Sequence, residues 1–139
     1  MASEAVDTAL FEAIGRDDVA AVEHALACGA DPNAVDPRWP APFLFRALST
    51  AAARGNPEIV RSLLAHGADV DGRDAGGGTA LIWACNGGFV ECARLLLEAG
   101  ADVHLRNDDG YTAYGRTPRN QRELIELLRT YGGTRDPAT

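Results

Sequence analysis

The stretch LLLEAGADVHLRNDDGYTA, residues 95 to 113, decides the fold, because it contains the end of one helix and the start of the next. An apolar helical run stops at Gly100, and Asn-Asp-Asp-Gly at 107–110 then supplies a tight reversal before Thr112. The central Gly-Ala-Asp occurs three times, at 29–31, 67–69 and 100–102. Three copies of one helix exit within 139 residues indicate an internal repeat.

The period of the repeat is the separation in sequence between Gly67 and Gly100, the equivalent glycines of two consecutive copies. With this offset LLAHGADVDGRDAGG lies over LLLEAGADVHLRNDDG without a gap, ALACGADPNAVD is an earlier copy and ELIELLRTYGG a last one. Four units result, at about 8–36, 37–74, 75–107 and 108–133, with 1–7 and 134–139 as flexible ends of a single domain. Such units are stable only when stacked, since none buries its apolar face alone.

The clearest unit, 79 to 107, predicts two helices. Thr79 is placed to cap the first, and ALIWACNG carries an apolar face of Leu81, Ala84 and Cys85. The second helix, from about 90 to 99, has one inward stripe formed by Cys92, Leu95, Leu96 and Ala99. Gly100 then ends it, because that position requires the left-handed conformation that glycine adopts without strain.

The segment TALIWACNGGFVECARLLLEAGADVHLRNDDGYT resembles the ankyrin repeat family in its threonine opening, its double-helix core and its glycine-alanine-aspartate exit. It departs from the family pattern at Ala80, where proline is usual, and at Ile82, where histidine is usual. The resemblance covers about residues 8–133. It implies an all-α solenoid of about four stacked helix-turn-helix units with short hairpin loops. It also implies a protein-protein interaction module without catalytic activity.

Charge and composition exclude several classes of function. The net charge of −7 argues against nucleic acid, whose phosphates need a basic face, and favours a basic protein partner. All thirteen basic residues are arginine, which excludes lysine-based catalysis and a phosphate-binding P-loop. No stretch approaches the roughly 20 apolar residues of a membrane helix, and MASEAVDTALFEA lacks a secretory signal pattern. With three cysteines expected to stay reduced, we expect a cytoplasmic protein that is a monomer on its own.

Candidate chemistry is sparse, and we expect no enzyme activity, no cofactor and no metal. His24 and Cys28 are one helical turn apart and could form half a zinc site, but no paired ligand motif follows. GGGT at 76–79 is interpreted as turn glycines, and DVDGRDAGG at 69–77 as a repeat hairpin rather than a calcium loop. Cys92 occupies an apolar stripe, where a small hydrophobic residue packs rather than reacts.

The joint between the first two units is irregular, because Gly29 and Gly67 are separated by five residues more than one period. The five extra residues, at 36–46, either lengthen a loop or extend the first helix of the second unit. Trp39, Phe43 and Phe45 fall here beside Arg38 and Arg46, residue types common in binding hot spots. The alternative for Phe43 and Phe45 is that they fill the space between units.

The resemblance places the variable contact positions at inner-helix ends and loop tips, which line one concave side. From these positions and the insertion we predict nine partner-binding residues: Arg16, Arg38, Trp39, Phe43, Arg54, Asn86, Asp108, Asp109 and Tyr111. Size and charge fit a bacterial inhibitor or immunity-type protein that blocks one basic target. The alternative is an ancillary or regulatory subunit of an enzyme complex.

Overall fold

The computed structural model describes residues 2–134, and eight helices form within that range. They are α1 (Ala2–Gly15), α2 (Val19–Ala27), α3 (Ala47–Arg54), α4 (Pro57–Ala65), α5 (Ala80–Gly87), α6 (Val90–Glu98), α7 (Ala113–Arg116) and α8 (Arg122–Thr130). Residues 2–7, which the sequence analysis assigned to a flexible end, belong to α1. Of the other end, 134–139, only Thr134 is described, and Met1 and 135–139 lie outside the described residues.

The helices stack in two rows. The odd-numbered helices α1, α3, α5 and α7 contact one another in order, and the even-numbered helices α2, α4, α6 and α8 form the second row. Each of the first three units also pairs its own two helices across the rows. This arrangement confirms the predicted all-α solenoid.

The local signals that define each unit act as the sequence predicts. The Thr79 hydroxyl accepts a hydrogen bond from Ile82 N at 3.3 Å and so caps α5, and Thr112 caps α7 in the same way. Gly100 has φ of 96°, a conformation that costs other residues strain, and the chain leaves α6 there. The sequence therefore encodes both helix starts and helix stops.

A continuous apolar core runs between the two rows. Its largest fully buried side chains come from every unit: Leu10, Ile14, Val22, Ile59, Val60, Leu63, Leu81, Leu96, Leu124 and Leu128. At the C-terminal end, Arg119, Arg122, Glu123 and Glu126 are exposed, as expected of the last unit in a stack.

The five-residue insertion lengthens a loop and leaves the helix unchanged. α3 and α5 each contain eight residues, whereas the connection 28–46 is five residues longer than the connections 66–79 and 99–112. Asp36 N donates to Phe45 O at 2.8 Å, and Val35 forms an antiparallel bridge with Arg46, so the base of the loop is closed. Residues 37–44 consequently protrude from the stack.

Candidate protein-interaction surface

A groove of about 360 Å³ lies between α3, the end of the long connection, and the start of the next unit. We call it the α3 groove. Its lining includes Leu44 and Phe45 of the connection, Ser49 and Thr50 of α3, and Trp83 of α5. Most of its lining is apolar, as is usual for sites that bind another molecule.

The groove exists because small residues replace large ones in one repeat. α3 begins at Ala47 and α5 at Ala80, one period later, so equivalent positions can be compared directly. Ser49 and Thr50 of α3 stand where α5 has Ile82 and Trp83. The missing side-chain volume of the second unit is the space that forms the groove.

The rim of the groove exposes large apolar side chains. Phe45 is 44% exposed, Trp83 40% and Leu44 38%. The rings of Trp39 and Phe45 meet edge to face with centres 5.6 Å apart, so the aromatic surface continues onto the insertion. Phe43 is 52% exposed, and neither phenylalanine fills space between units, which removes that alternative.

Trp83 is held in place by Asp74. The indole Nε1 donates to Asp74 Oδ2 at 2.5 Å, while Asp74 Oδ1 accepts from Gly76 N and Gly78 N at 3.0 and 2.9 Å. The carboxylate thus ties the tryptophan to the turn of the 66–79 connection. A side chain ordered before binding loses little conformational entropy when a partner arrives.

A second depression of about 250 Å³ shares the Trp83 wall and leads toward the last unit. It brings together the predicted residues Asn86 and Asp109. Arg116 Nη2 donates to Asn86 Oδ1 at 2.9 Å, and the Arg116 guanidinium lies 5.2 Å from the centre of the Tyr111 ring. Asn86, Asp109 and Tyr111 therefore belong to one surface.

Arg54, at the far end of the α3 groove, forms an ion pair with Asp17. The Arg54 Nη2 to Asp17 Oδ2 distance is 2.9 Å, and the two side chains are 40% and 46% exposed. The hydrogen bond from Arg54 holds the pKa of Asp17 below its ordinary value, and the pKa of Arg54 is raised in turn. The pair orients the guanidinium at the groove edge.

Arg38 is partly exposed and also pairs with a buried carboxylate. Its Nη2 lies 2.6 Å from Oδ2 of the buried Asp36. Burial raises the pKa of Asp36, but hydrogen bonds from Arg38 outweigh burial and hold that pKa below its ordinary value. Arg38 thus neutralises a buried charge at the base of the insertion.

Arg16 and Asp108 line neither the α3 groove nor the adjoining depression. Arg16 borders a separate depression beside α1 and α2, which His24 and Cys28 also line. Asp108 is exposed at a loop tip, and its backbone nitrogen donates to Gly76 O at 2.9 Å. Of the nine predicted residues, Arg54 lines the α3 groove, and Asn86 and Asp109 line the adjoining depression.

Sequence reasoning missed Trp83, Leu44 and Ser49. Trp83 carried a usable signal, since in ALIWACNG it falls off the face formed by Leu81, Ala84 and Cys85. An exposed aromatic side chain on a short helix is a candidate anchor for a partner.

Metal and thiol chemistry find little support in the described part of the chain. Within residues 2–134 no group of three or more histidine, cysteine or acidic side chains is arranged to hold a metal ion. Burial raises the pKa of Cys85 to about 12 and that of Cys92 to about 11, which keeps both as inert thiols. None of the helices in residues 2–134 is long and apolar enough to cross a membrane.

Stacked helix pairs and glycine-terminated helices define a helical-repeat protein, and its surface carries an open, partly apolar groove. The family described as ankyrin repeats (3 copies) matches residues 10–107, and the chain belongs to the ankyrin repeat family. Ankyrin repeats identify it as a protein-interaction module.

Curated relatives match more than half of this chain. Human protein phosphatase 1 regulatory subunit 27 is 40% identical over 88 residues, 63% of this chain and 57% of that protein, and its mouse counterpart is 39% identical over 88 residues, with the same coverage. Mouse 2-5A-dependent ribonuclease is 37% identical over 78 residues, 56% of this chain and 10% of that protein. The chain thus spans little more than half the length of the phosphatase subunits.

Proposed function

We propose that this chain is a non-catalytic regulatory subunit that binds an enzyme through the α3 groove and the loop tips beside it. The observation that carries the proposal is Trp83, held by Asp74, which lines an open groove together with the exposed Leu44 and Phe45. Such aromatic anchors at the centre of an interface account for most of the binding energy in protein complexes. The phosphatase relatives are named as regulatory subunits, which supports a regulatory role.

The proposed interface includes the predicted residues Trp39, Phe43, Arg54, Asn86, Asp109 and Tyr111. Together with the groove they span α3, α5, the insertion and the last connection. An interface of ordinary size buries about 800 Å² on each partner, and a rigid surface reaches it without large ordering costs. Arg16, Arg38 and Asp108 remain proposed contacts at its edge.

A second candidate function is inhibition of a basic enzyme, and the net charge of −7 favours it. An acidic inhibitor would associate quickly with a basic target through electrostatic attraction that salt weakens. The two functions predict different behaviour of the bound enzyme. Inhibition abolishes its activity, whereas a regulatory subunit leaves it active with an altered rate or substrate preference.

The test is co-purification of the tagged chain from its native cells, followed by calorimetry with the purified partner and an activity assay of the complex. Phe45→Ala and Trp83→Ala should each weaken binding at least about tenfold, as expected of anchor residues. Glu58→Ala, on the exposed face of α4, is the matched control and should bind like the unaltered chain. Circular dichroism verifies that each variant is folded.

Equal affinity for the groove variants and the control would contradict the proposed surface. Complete loss of the partner's activity in the complex would favour inhibition over regulation. A partner without enzyme activity would contradict both functions and leave only the interaction module.

A further inference from the structure

The lining of the α3 groove includes a buried hydroxyl that has no hydrogen-bond partner. Ser49 is 4% exposed, and its Oγ is the buried side-chain oxygen in residues 2–134 for which no partner is present. The neighbouring Thr50 hydroxyl, by contrast, donates to Arg46 O at 2.8 Å. An unpaired buried hydroxyl costs free energy, so its presence at a groove points to a ligand group that completes it.

Ser49 forms the floor of the groove, because it is buried while Phe45 and Trp83 at the rim are 44% and 40% exposed. A group that reaches the floor must therefore pass between apolar walls. A side chain that suits apolar walls above a hydroxyl floor has an apolar body and a polar tip.

We propose that the α3 groove receives a tyrosine side chain of the protein partner, with the phenol hydroxyl bonded to Ser49. This proposal rests on the proposed function and specifies the chemistry of its central contact. The ring packs between Leu44, Phe45 and Trp83, and the hydroxyl exchanges a hydrogen bond with Ser49 Oγ. Buried tyrosines combine these two needs, since the ring is apolar and the hydroxyl seeks a partner.

The charges at the groove disfavour a partner side chain with a charged tip. Arg46 and Arg54 both line it, so a lysine or arginine from the partner would meet like charge. The one carboxylate among the lining residues, Asp74, already accepts from Gly76 N, Gly78 N and Trp83 Nε1. A buried glutamate would lose its hydration, and the two guanidiniums are already engaged, since Arg54 pairs with Asp17 and Arg46 donates to Arg73 O and Asn33 O. A neutral phenol avoids both penalties.

The first experiment uses p-cresol, the side chain of tyrosine, and toluene as its matched analogue without the hydroxyl. Titration followed by amide and indole NMR shifts should place both compounds in the groove, with p-cresol binding about 2- to 10-fold more tightly because of one hydrogen bond. The Ser49→Ala chain should bind the two compounds equally. Equal binding to the unaltered chain, or shifts elsewhere, would overturn the proposal, as would tighter binding of 3-methylindole than of p-cresol.

The second experiment measures thermal stability without ligand. Ser62→Ala is the matched control, because Ser62 is also a buried helix serine, 6% exposed, but its hydroxyl is bonded to Glu23. Ser49→Ala should melt at the same or a higher temperature than the unaltered chain, and Ser62→Ala at a lower one. A lower melting temperature for Ser49→Ala would show that the hydroxyl is already paired and would overturn the proposal.

Ser49→Ile separates this inference from the proposed function. The equivalent residue of the next unit is Ile82, so isoleucine suits this position of a repeat while filling the groove floor. It should abolish p-cresol binding and weaken the partner at least as much as Trp83→Ala does. If Trp83→Ala releases the partner but Ser49→Ile does not, the proposed interaction surface is supported and the proposed tyrosine contact is wrong. If p-cresol binds as expected but neither variant affects the partner, the proposed function fails.

Discussion

Asp71 of one unit accepts a hydrogen bond from the backbone nitrogen of Asp102 in the next, with Oδ1 and N 3.0 Å apart. Asn33 does the same for Asp69 at 2.6 Å, and Asp7 for Asp31 at 2.9 Å. The nitrogen in each case belongs to the aspartate of a Gly-Ala-Asp copy. The repeated motif is therefore both a helix exit and a point where neighbouring segments of the stack are joined.

Loss of this junction should destabilise the stack. Asp71→Ala removes the acceptor for Asp102 N and should lower the free energy of unfolding by about 1 kcal/mol, the usual contribution of one such bond. Asp71→Asn keeps an acceptor, as Asn33 does at the other junction, and should retain most of the stability. Urea denaturation measures both, with Glu98→Ala on the exposed side of α6 as control. Equal loss in the alanine and asparagine variants would contradict the role of the hydrogen bond.

A side chain at Gly100 should destabilise the protein, although there is room for one. Nothing lies within 4 Å of a Cβ placed there, but φ is +96°. Gly100→Ala should therefore cost about 1–2 kcal/mol from backbone strain alone. Gly15 also has open space but no positive φ, so Gly15→Ala should be neutral or stabilising by up to about 1 kcal/mol. The melting temperature should fall for Gly100→Ala and should stay the same or rise for Gly15→Ala.

The three cysteines should react unequally with a thiol reagent. Cys28 is exposed, whereas Cys85 and Cys92 are buried. At pH 8 one thiol per folded chain should be labelled quickly and three in guanidinium chloride, and Cys28→Ser should abolish the fast phase. Fast labelling of two thiols in the folded chain would show that a helix pair opens readily.

Stability should fall in alkaline solution because of the buried thiols. Their pKa values rise from the ordinary 9.0 to about 12 for Cys85 and about 11 for Cys92, so the unfolded chain loses these protons first. Below pH 9 their contribution is fully present, and by pH 10 it should have dropped by about 1 kcal/mol per thiol. Denaturation across pH 8–10.5 checks this. The Cys85→Ala/Cys92→Ala chain should show a shallower decline, and an unchanged slope would exclude the thiols as its cause.

Removing the insertion should separate binding from folding. Deletion of residues 39–43 restores the spacing of the other units and removes exposed side chains, including Trp39 and Phe43. We expect the helical content to persist and stability to change by about 1 kcal/mol or less, since loop length has a weak effect on closure entropy. Partner affinity should fall at least about tenfold. Unfolding of the shortened chain would instead give the insertion a structural role.

The order of helices and exits could be read from the sequence because each depends on neighbouring residues. Thr79 caps its own helix within three residues, and Gly100 ends α6 by its own backbone preference. Because the units repeat, similar helix caps and glycine exits recur along the chain. The end of α6 was predicted one residue late, since its exact position depends on the cap geometry at Ala99.

The candidate surface could be predicted only in part. The repeat spacing located the insertion and its aromatic residues marked it as a contact region, and Trp39 and Phe43 are indeed exposed. Whether the extra residues formed loop or helix stayed open. Arg16 met the same positional rule as Arg54, yet the structure places it beside α1 and α2, away from the α3 groove. Position within a repeat does not state which neighbours surround a side chain.

By itself the sequence determined the repeat, the order of the helices and the all-α architecture, since these follow from hydrophobic spacing and turn chemistry within a single unit. The tertiary structure decided where the candidate docking groove lies. The α3 groove is made by small side chains of α3 and by Trp83, which comes from the following unit. A cavity between units is a property of their packing, so it exists only once the units are stacked.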